Sequence, residues 1–126
     1  MYNMSFAQSS YASAGKRARV LNANSHELIA FLFDELINLL DEILVIHKRD
    51  KSSAIPDQQA MALTIVDSLM VSLDFEKGGN LAMTLHRLYG QVRELIAAKD
   101  ADNQIRNNRA AHQMISEIYA AWAEIG

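Results

Sequence analysis

Cysteine is absent from the 126 residues, so the chain can form neither a disulfide nor a zinc site built on thiolates. A single proline and five glycines leave the sequence almost free of residues that interrupt helices. The longest apolar run, residues 28–33, is far too short to cross a membrane, and no signal segment opens the sequence. These absences favour one helical domain that works in the cytoplasm without membrane insertion.

The charge of the chain is distributed unevenly. Its formal net charge is −3, yet residues 1–26 contain Lys16, Arg17 and Arg19 and no acid, which makes that segment +3 and the remainder −6. Since nucleic-acid binding requires basic residues clustered against the phosphates, an acidic body predicts no nucleic-acid partner. We expect the short basic arm to dock on the acidic body of its own chain.

Apolar residues recur at three- and four-residue intervals in four stretches, which is the period of an amphipathic helix. The predicted helices cover residues 25–48, 56–75, 81–99 and 105–125. Proline at position 56 suits the first turn of a helix, where its missing N–H is not needed. Four helices of similar length joined by short loops predict an all-α fold, an antiparallel up-down-up-down four-helix bundle.

The joint between the second and third predicted helices contains Gly78 and Gly79, and we expect a tight turn there. One of the two glycines would supply the left-handed residue that closes a helix. An acid in the last turn of a helix opposes the macrodipole, so Asp74 is expected to bond forward, to loop amides or to the start of the third helix.

Residues 1–23 differ in character from residues 24–126, which we assign to the bundle. The segment is polar, although Met4, Ala7 and Tyr11 keep a helical spacing. It has too few bulky apolar groups to hold a helix alone, so it can order only by docking. A weakly held arm of this kind is suited to act as a lid, but its composition alone favours an ordinary frayed terminus.

The usual constellations of catalytic residues are missing from the sequence. It has no Gly-x-Ser-x-Gly elbow, no phosphate-binding loop and no Glu-x-x-His pair for a di-metal site. We expect no enzyme activity, no metal and no cofactor. His86 and Gly90 loosely resemble part of the His-x-Leu-Lys-Gly sequence of histidine phosphotransfer domains, so phosphotransfer through His86 is one alternative. A structural bundle that self-associates through exposed apolar stripes is another.

The most specific motif runs from Leu73 to Tyr89 and reads Leu-Asp-x-Glu-x-Gly-Gly, then Ala-x-x-Leu-x-x-Leu-Tyr. It resembles the signature of the FliS family, the cytoplasmic chaperones that hold flagellin before flagellar export. Asp34 is similar to the aspartate of the family's Tyr-Asp-Gly element. The positions that the resemblance marks as structural are Asp34, Asp74, Glu76, Gly78 and Gly79.

The resemblance implies a chaperone that binds the disordered C-terminal segment of flagellin, blocks premature filament assembly and presents this client to the export gate. It also implies an N-terminal lid, for which we name Met4, Ala7, Tyr11 and Val20. We expect the faces of the second and third helices to carry the client groove, through Leu69, Leu73, Leu81, Leu85, Leu88, Tyr89 and Val92.

Overall fold

The computed structural model describes residues 25–125, so the lid residues Met4, Ala7, Tyr11 and Val20 lie outside the described residues. Within that range the chain forms four helices, α1 (Ser25–Arg49), α2 (Pro56–Val71), α3 (Phe75–Ala97) and α4 (Gln104–Ile125). The predicted all-α fold is confirmed. The division of the chain at residue 24 stays a prediction.

Each helix packs against its neighbour in the chain, and α4 closes the ring by packing on α1. The start of α1 meets the end of α4, where His26 Nε2 lies 2.8 Å from the carbonyl oxygen of Trp122. The start of α2 meets the end of α3, where Gln59 Nε2 donates to the carbonyl oxygen of Ile96 at 2.8 Å. These contacts fit the predicted antiparallel up-down-up-down bundle.

The core contains aliphatic side chains from all four helices and two aromatic rings, Phe33 of α1 and Tyr89 of α3. Both side chains are fully buried, and their ring centroids lie 6.3 Å apart. α1 supplies the largest share of the core because its apolar residues form two adjoining stripes. The buried apolar residues of α1 are Leu28, Ile29, Leu32, Phe33, Leu36, Leu39, Leu40 and Ile43.

The joint between α2 and α3 differs from the predicted one. α2 ends at Val71, ahead of the predicted end at Phe75, and α3 begins at Phe75 with Asp74 as its N-cap. Asp74 has an extended backbone conformation, and its side chain accepts a hydrogen bond from the backbone N–H of Lys77 at 3.1 Å. This bond satisfies one of the free backbone amides in the first turn of α3. Asp74 therefore begins a new helix at the point where the apolar period predicted a continuation of α2. The predicted forward bond of Asp74 is confirmed.

Gly78 and Gly79 lie inside α3 and not between the two helices, so the predicted position of the turn is wrong. Gly79 has φ 53° and ψ −131°, which interrupts the helix after its first turn. One of these glycines was expected to be the left-handed residue that closes α2. Gly79 does have a positive φ, but its ψ lies outside the left-handed helical region, and the residue kinks α3 and does not close α2. Only glycine adopts this backbone conformation without strain.

Candidate binding groove between α3 and α4

An apolar cavity of about 330 Å³ opens along the seam between α3 and α4, near the start of α3 and the end of α4. Large apolar side chains form most of its lining, namely Leu81, Leu85 and Leu88 of α3 and Met114, Ile118 and Trp122 of α4. The buried Tyr89 lies at its floor, and the remaining lining residues are Thr84, Glu117 and Ala121. A concave apolar surface with few polar groups is the usual form of a binding site.

The α3 wall of the cavity has both buried and exposed parts. Leu81 is 52% exposed, whereas Leu85 is 8% exposed and Tyr89 is fully buried. These residues follow one another at intervals of four, so one face of the helix reaches from the core to the surface. The groove is therefore an open continuation of the hydrophobic core.

The floor of the groove rests on aromatic packing. Phe33 lies beneath it, with its ring centroid 5.6 Å from that of Tyr119 and 6.4 Å from that of Trp122. Packed aromatic rings lose little further freedom when a ligand arrives. The groove is thus largely formed before anything binds to it.

Trp122 is held in place by the first turn of α1. The rings of His26 and Trp122 stack with centroids 5.0 Å apart and an interplanar angle of 8°. Trp122 Nε1 donates to the His26 carbonyl oxygen at 3.3 Å, and His26 Nε2 lies 2.8 Å from the Trp122 carbonyl oxygen. The second contact requires the proton on His26 Nε2, because a carbonyl oxygen can only accept. This paired contact fixes one wall of the groove.

A second cavity of about 350 Å³ lies further along the same seam, lined by Gln91, Glu94, Leu95, Asn107 and Met114. Met114 lines both cavities, so together they extend along the seam. Gln91, Glu94 and Asn107 add polar side chains to the lining of the second cavity, whose surface is otherwise apolar.

The seven predicted groove residues occupy two different places. Leu81, Leu85, Leu88 and Tyr89 come together at the first cavity. The others, Leu69, Leu73 and Val92, belong to the buried core and line neither cavity. A direct role of any of the seven in partner binding stays a prediction.

α4 was not among the helices predicted to carry the groove. Met114, Ile118 and Trp122 follow one another at intervals of four residues, and they form the wall opposite α3. That spacing is the signal that identifies one face of a helix. It could not indicate which neighbouring helix, or which cavity, this face would meet.

The remaining candidate residues lie away from the groove lining. His86 is exposed, and its ring meets that of Phe75 edge-on with centroids 5.6 Å apart. An apolar ring offers no positive charge to offset a phosphoryl group, so this contact does not favour phosphotransfer. Asp34 and Glu76 are exposed on α1 and α3.

Two charged side chains whose pKa values are shifted lie outside the groove. The hydrogen bond to Asp67, and then the negative charge of that residue, raise the pKa of Arg93. Hydrogen bonds from the Ser52 side chain and backbone lower the pKa of Asp50. Both groups are on the surface and serve local structure.

Residues 25–125 contain no cluster of three or more potential metal ligands, and none of their helices is long and apolar enough to span a bilayer.

Comparison with known proteins supplies a family match. The family model described as Flagellar protein FliS matches residues 7–126. The flagellar secretion chaperone FliS of Salmonella typhimurium is 28% identical over 116 residues, which cover 91% of this chain and 86% of that protein. The flagellar secretion chaperone FliSB of Pseudomonas aeruginosa is 27% identical over 125 residues, which cover 97% of this chain and 96% of that protein. No solved structure matches the chain significantly.

Proposed function

Because the chain belongs to the FliS family of flagellar secretion chaperones, we propose that it binds the C-terminal segment of flagellin in the cytoplasm and keeps it from polymerising before export. The observation that carries this proposal is the preformed apolar groove between α3 and α4. FliS is a family of chaperones and not of enzymes, and the groove offers apolar contact without a catalytic arrangement. Contacts with the export gate and self-association stay predictions.

The physical basis of the proposal is folding coupled to binding. A disordered client gains about 25 cal/mol for each Å² of apolar surface it buries, and it loses conformational entropy as it becomes ordered. The two terms offset each other in part, so the net affinity stays moderate. Moderate affinity suits a client that must later be released for export.

The proposal assigns separate tasks to the predicted residues. Leu81, Leu85 and Leu88 contact the client, with Tyr89 as the floor beneath it. Leu69, Leu73 and Val92 belong to the buried core and do not contact the client. Because these three side chains have little or no exposed area, we expect them to affect binding only through the stability of the bundle.

The groove can be tested with Leu81→Asp, which places a charge in the exposed part of the lining. Affinity for the C-terminal segment of flagellin should fall about tenfold or more, since Leu81 is 52% exposed, burial of that half contributes about 0.8–1.5 kcal/mol, and burial of an unpaired carboxylate in its place adds a further cost. Isothermal titration calorimetry at several temperatures measures the affinity, and the negative heat-capacity change that marks apolar burial.

Val45→Asp is the matched control for this test. Val45 is 53% exposed, almost the same as Leu81, but it lies on α1 and lines neither cavity. The control should bind like the unmodified chain. Equal losses in the two variants would contradict the assignment of the groove, and no binding by the unmodified chain would contradict the proposed function.

A further inference from the structure

Two carboxylates line the seam between α3 and α4. Glu117 of α4 lines the apolar cavity, Glu94 of α3 lines the second cavity, and both side chains are exposed. No lysine or arginine lines either cavity. Within residues 25–125, neither glutamate forms a salt bridge. Negative charge therefore lies beside apolar surface along this seam.

At the α2–α3 seam an acid is paired across the helices, since Asp67 Oδ1 lies 2.7 Å from Arg93 Nε. At the α1–α4 seam Asp41 Oδ1 lies 2.8 Å from His112 Nε2, a contact that is an ion pair only when the histidine is protonated. The described part of the α3–α4 seam has no such pair. Its two carboxylates are thus available to a charged partner from another molecule.

The length and shape of the seam indicate what kind of partner could bind there. From Leu81 to Leu95, α3 rises about 21 Å, which is the length of a helix of about 14 residues. A third helix laid between two antiparallel helices packs its apolar face into the groove. Glu117 is already oriented, because its Oε1 accepts a hydrogen bond from Gln113 Nε2 at 2.9 Å.

We propose that the groove selects an amphipathic helix whose apolar face is flanked by lysine or arginine, one over Glu117 and one over Glu94. This inference rests on the proposed function, since it specifies which stretch of the flagellin segment enters the groove. A cation beside each glutamate gains attraction in a partly dry setting, whereas an acid in the same place is repelled. The apolar contacts then supply affinity, and the carboxylates supply selection.

The test uses full-length protein with Glu94→Gln and Glu117→Gln, singly and together, against the C-terminal segment of flagellin. Each substitution should weaken binding about threefold and the pair about tenfold, as expected for partly exposed ion pairs. Raising NaCl from about 0.05 M to about 0.5 M should weaken binding by the unmodified chain and have much less effect on the double variant.

A second peptide identifies the partner charges. The flagellin segment with its lysines and arginines replaced by glutamine should bind the unmodified chain about tenfold more weakly. It should lose nothing further against the double variant, because the paired charges are already absent. Asp57→Asn is the control, since this exposed α2 residue carries the same charge and lines neither cavity.

The outcomes separate the inference from the proposed function. Binding that is insensitive to both glutamates and to salt overturns the inference and leaves the proposed function intact. Tighter binding by the double variant also overturns it, because that result is expected if the carboxylates hold the chain's own Lys16, Arg17 and Arg19. No binding of the unmodified flagellin segment overturns both.

Discussion

Gly79 and Gly90 of α3 face different conformational demands. Gly79 has φ 53°, whereas Gly90 has an ordinary negative φ inside the helix. A Cβ added at either position would meet no atom within 4 Å other than those of the adjoining residues and the nearby backbone of its own helix. The effect of adding a methyl group is therefore set by backbone conformation and not by steric contact.

Opposite effects are expected for alanine at these two positions. Gly79→Ala should lower the free energy of unfolding by about 1–2 kcal/mol, because an L-residue is strained at positive φ. Gly90→Ala should raise it by about 0.5–1 kcal/mol, since alanine loses less backbone entropy in a helix. Urea unfolding monitored by far-ultraviolet circular dichroism measures both. A loss of stability at both positions would contradict this account.

Asn108 of α4 is 1% exposed, and its amide oxygen and nitrogen have no hydrogen-bond partner among the described residues. An unpaired buried polar group costs about 1–3 kcal/mol, so Asn108→Leu should stabilise the bundle by about 1–2 kcal/mol. The midpoint of urea unfolding should rise while its slope stays constant. Ala111→Leu, in the same helix, is a control that should instead destabilise by overpacking a buried site.

α3 serves the core and the groove with adjoining faces. Ala82 and Ile96 are buried in the bundle, while Leu81 and Leu88 line the cavity. The helical period in the sequence predicted both sets as apolar. It could not divide them, because the division depends on where α4 lies beside α3, and that position follows from the packing of all four helices.

The boundary between α2 and α3 shows a second limit of sequence reasoning. The apolar period continues past Val71 toward Phe75, so the pattern alone extends α2 too far. Asp74 ends that continuation because its side chain caps a new helix. The capping bond was predicted from the sequence, but its consequence for the position of Gly79 was not.

The bundle as a unit was predictable because several signals agree. Four amphipathic stretches, short connections and scarce helix breakers all favour the same fold. The groove was less predictable because it depends on surface that the four helices leave uncovered. Of the residues predicted for a client groove, four line the cavity on its α3 side, and their part in partner binding stays a prediction. They are Leu81, Leu85, Leu88 and Tyr89.

The N-terminal arm, residues 1–23, is predicted to act as a lid over the groove of the bundle. If residues 1–23 cover the groove, deleting residues 1–18 should leave client affinity unchanged or raise it, because the client no longer competes with the arm. Self-association should increase as apolar surface is uncovered. Calorimetry and light scattering over a concentration series measure the two effects. Markedly weaker client binding would show that the arm is itself a contact surface.

Trp122 is the only tryptophan of the chain, and it forms part of the groove wall. Its indole ring is partly exposed, so a molecule that enters the groove changes the solvent around it. Excitation of this one side chain should therefore yield an emission spectrum that shifts to shorter wavelength as the site fills. The protein carries its own optical probe of occupancy, and no dye has to be attached.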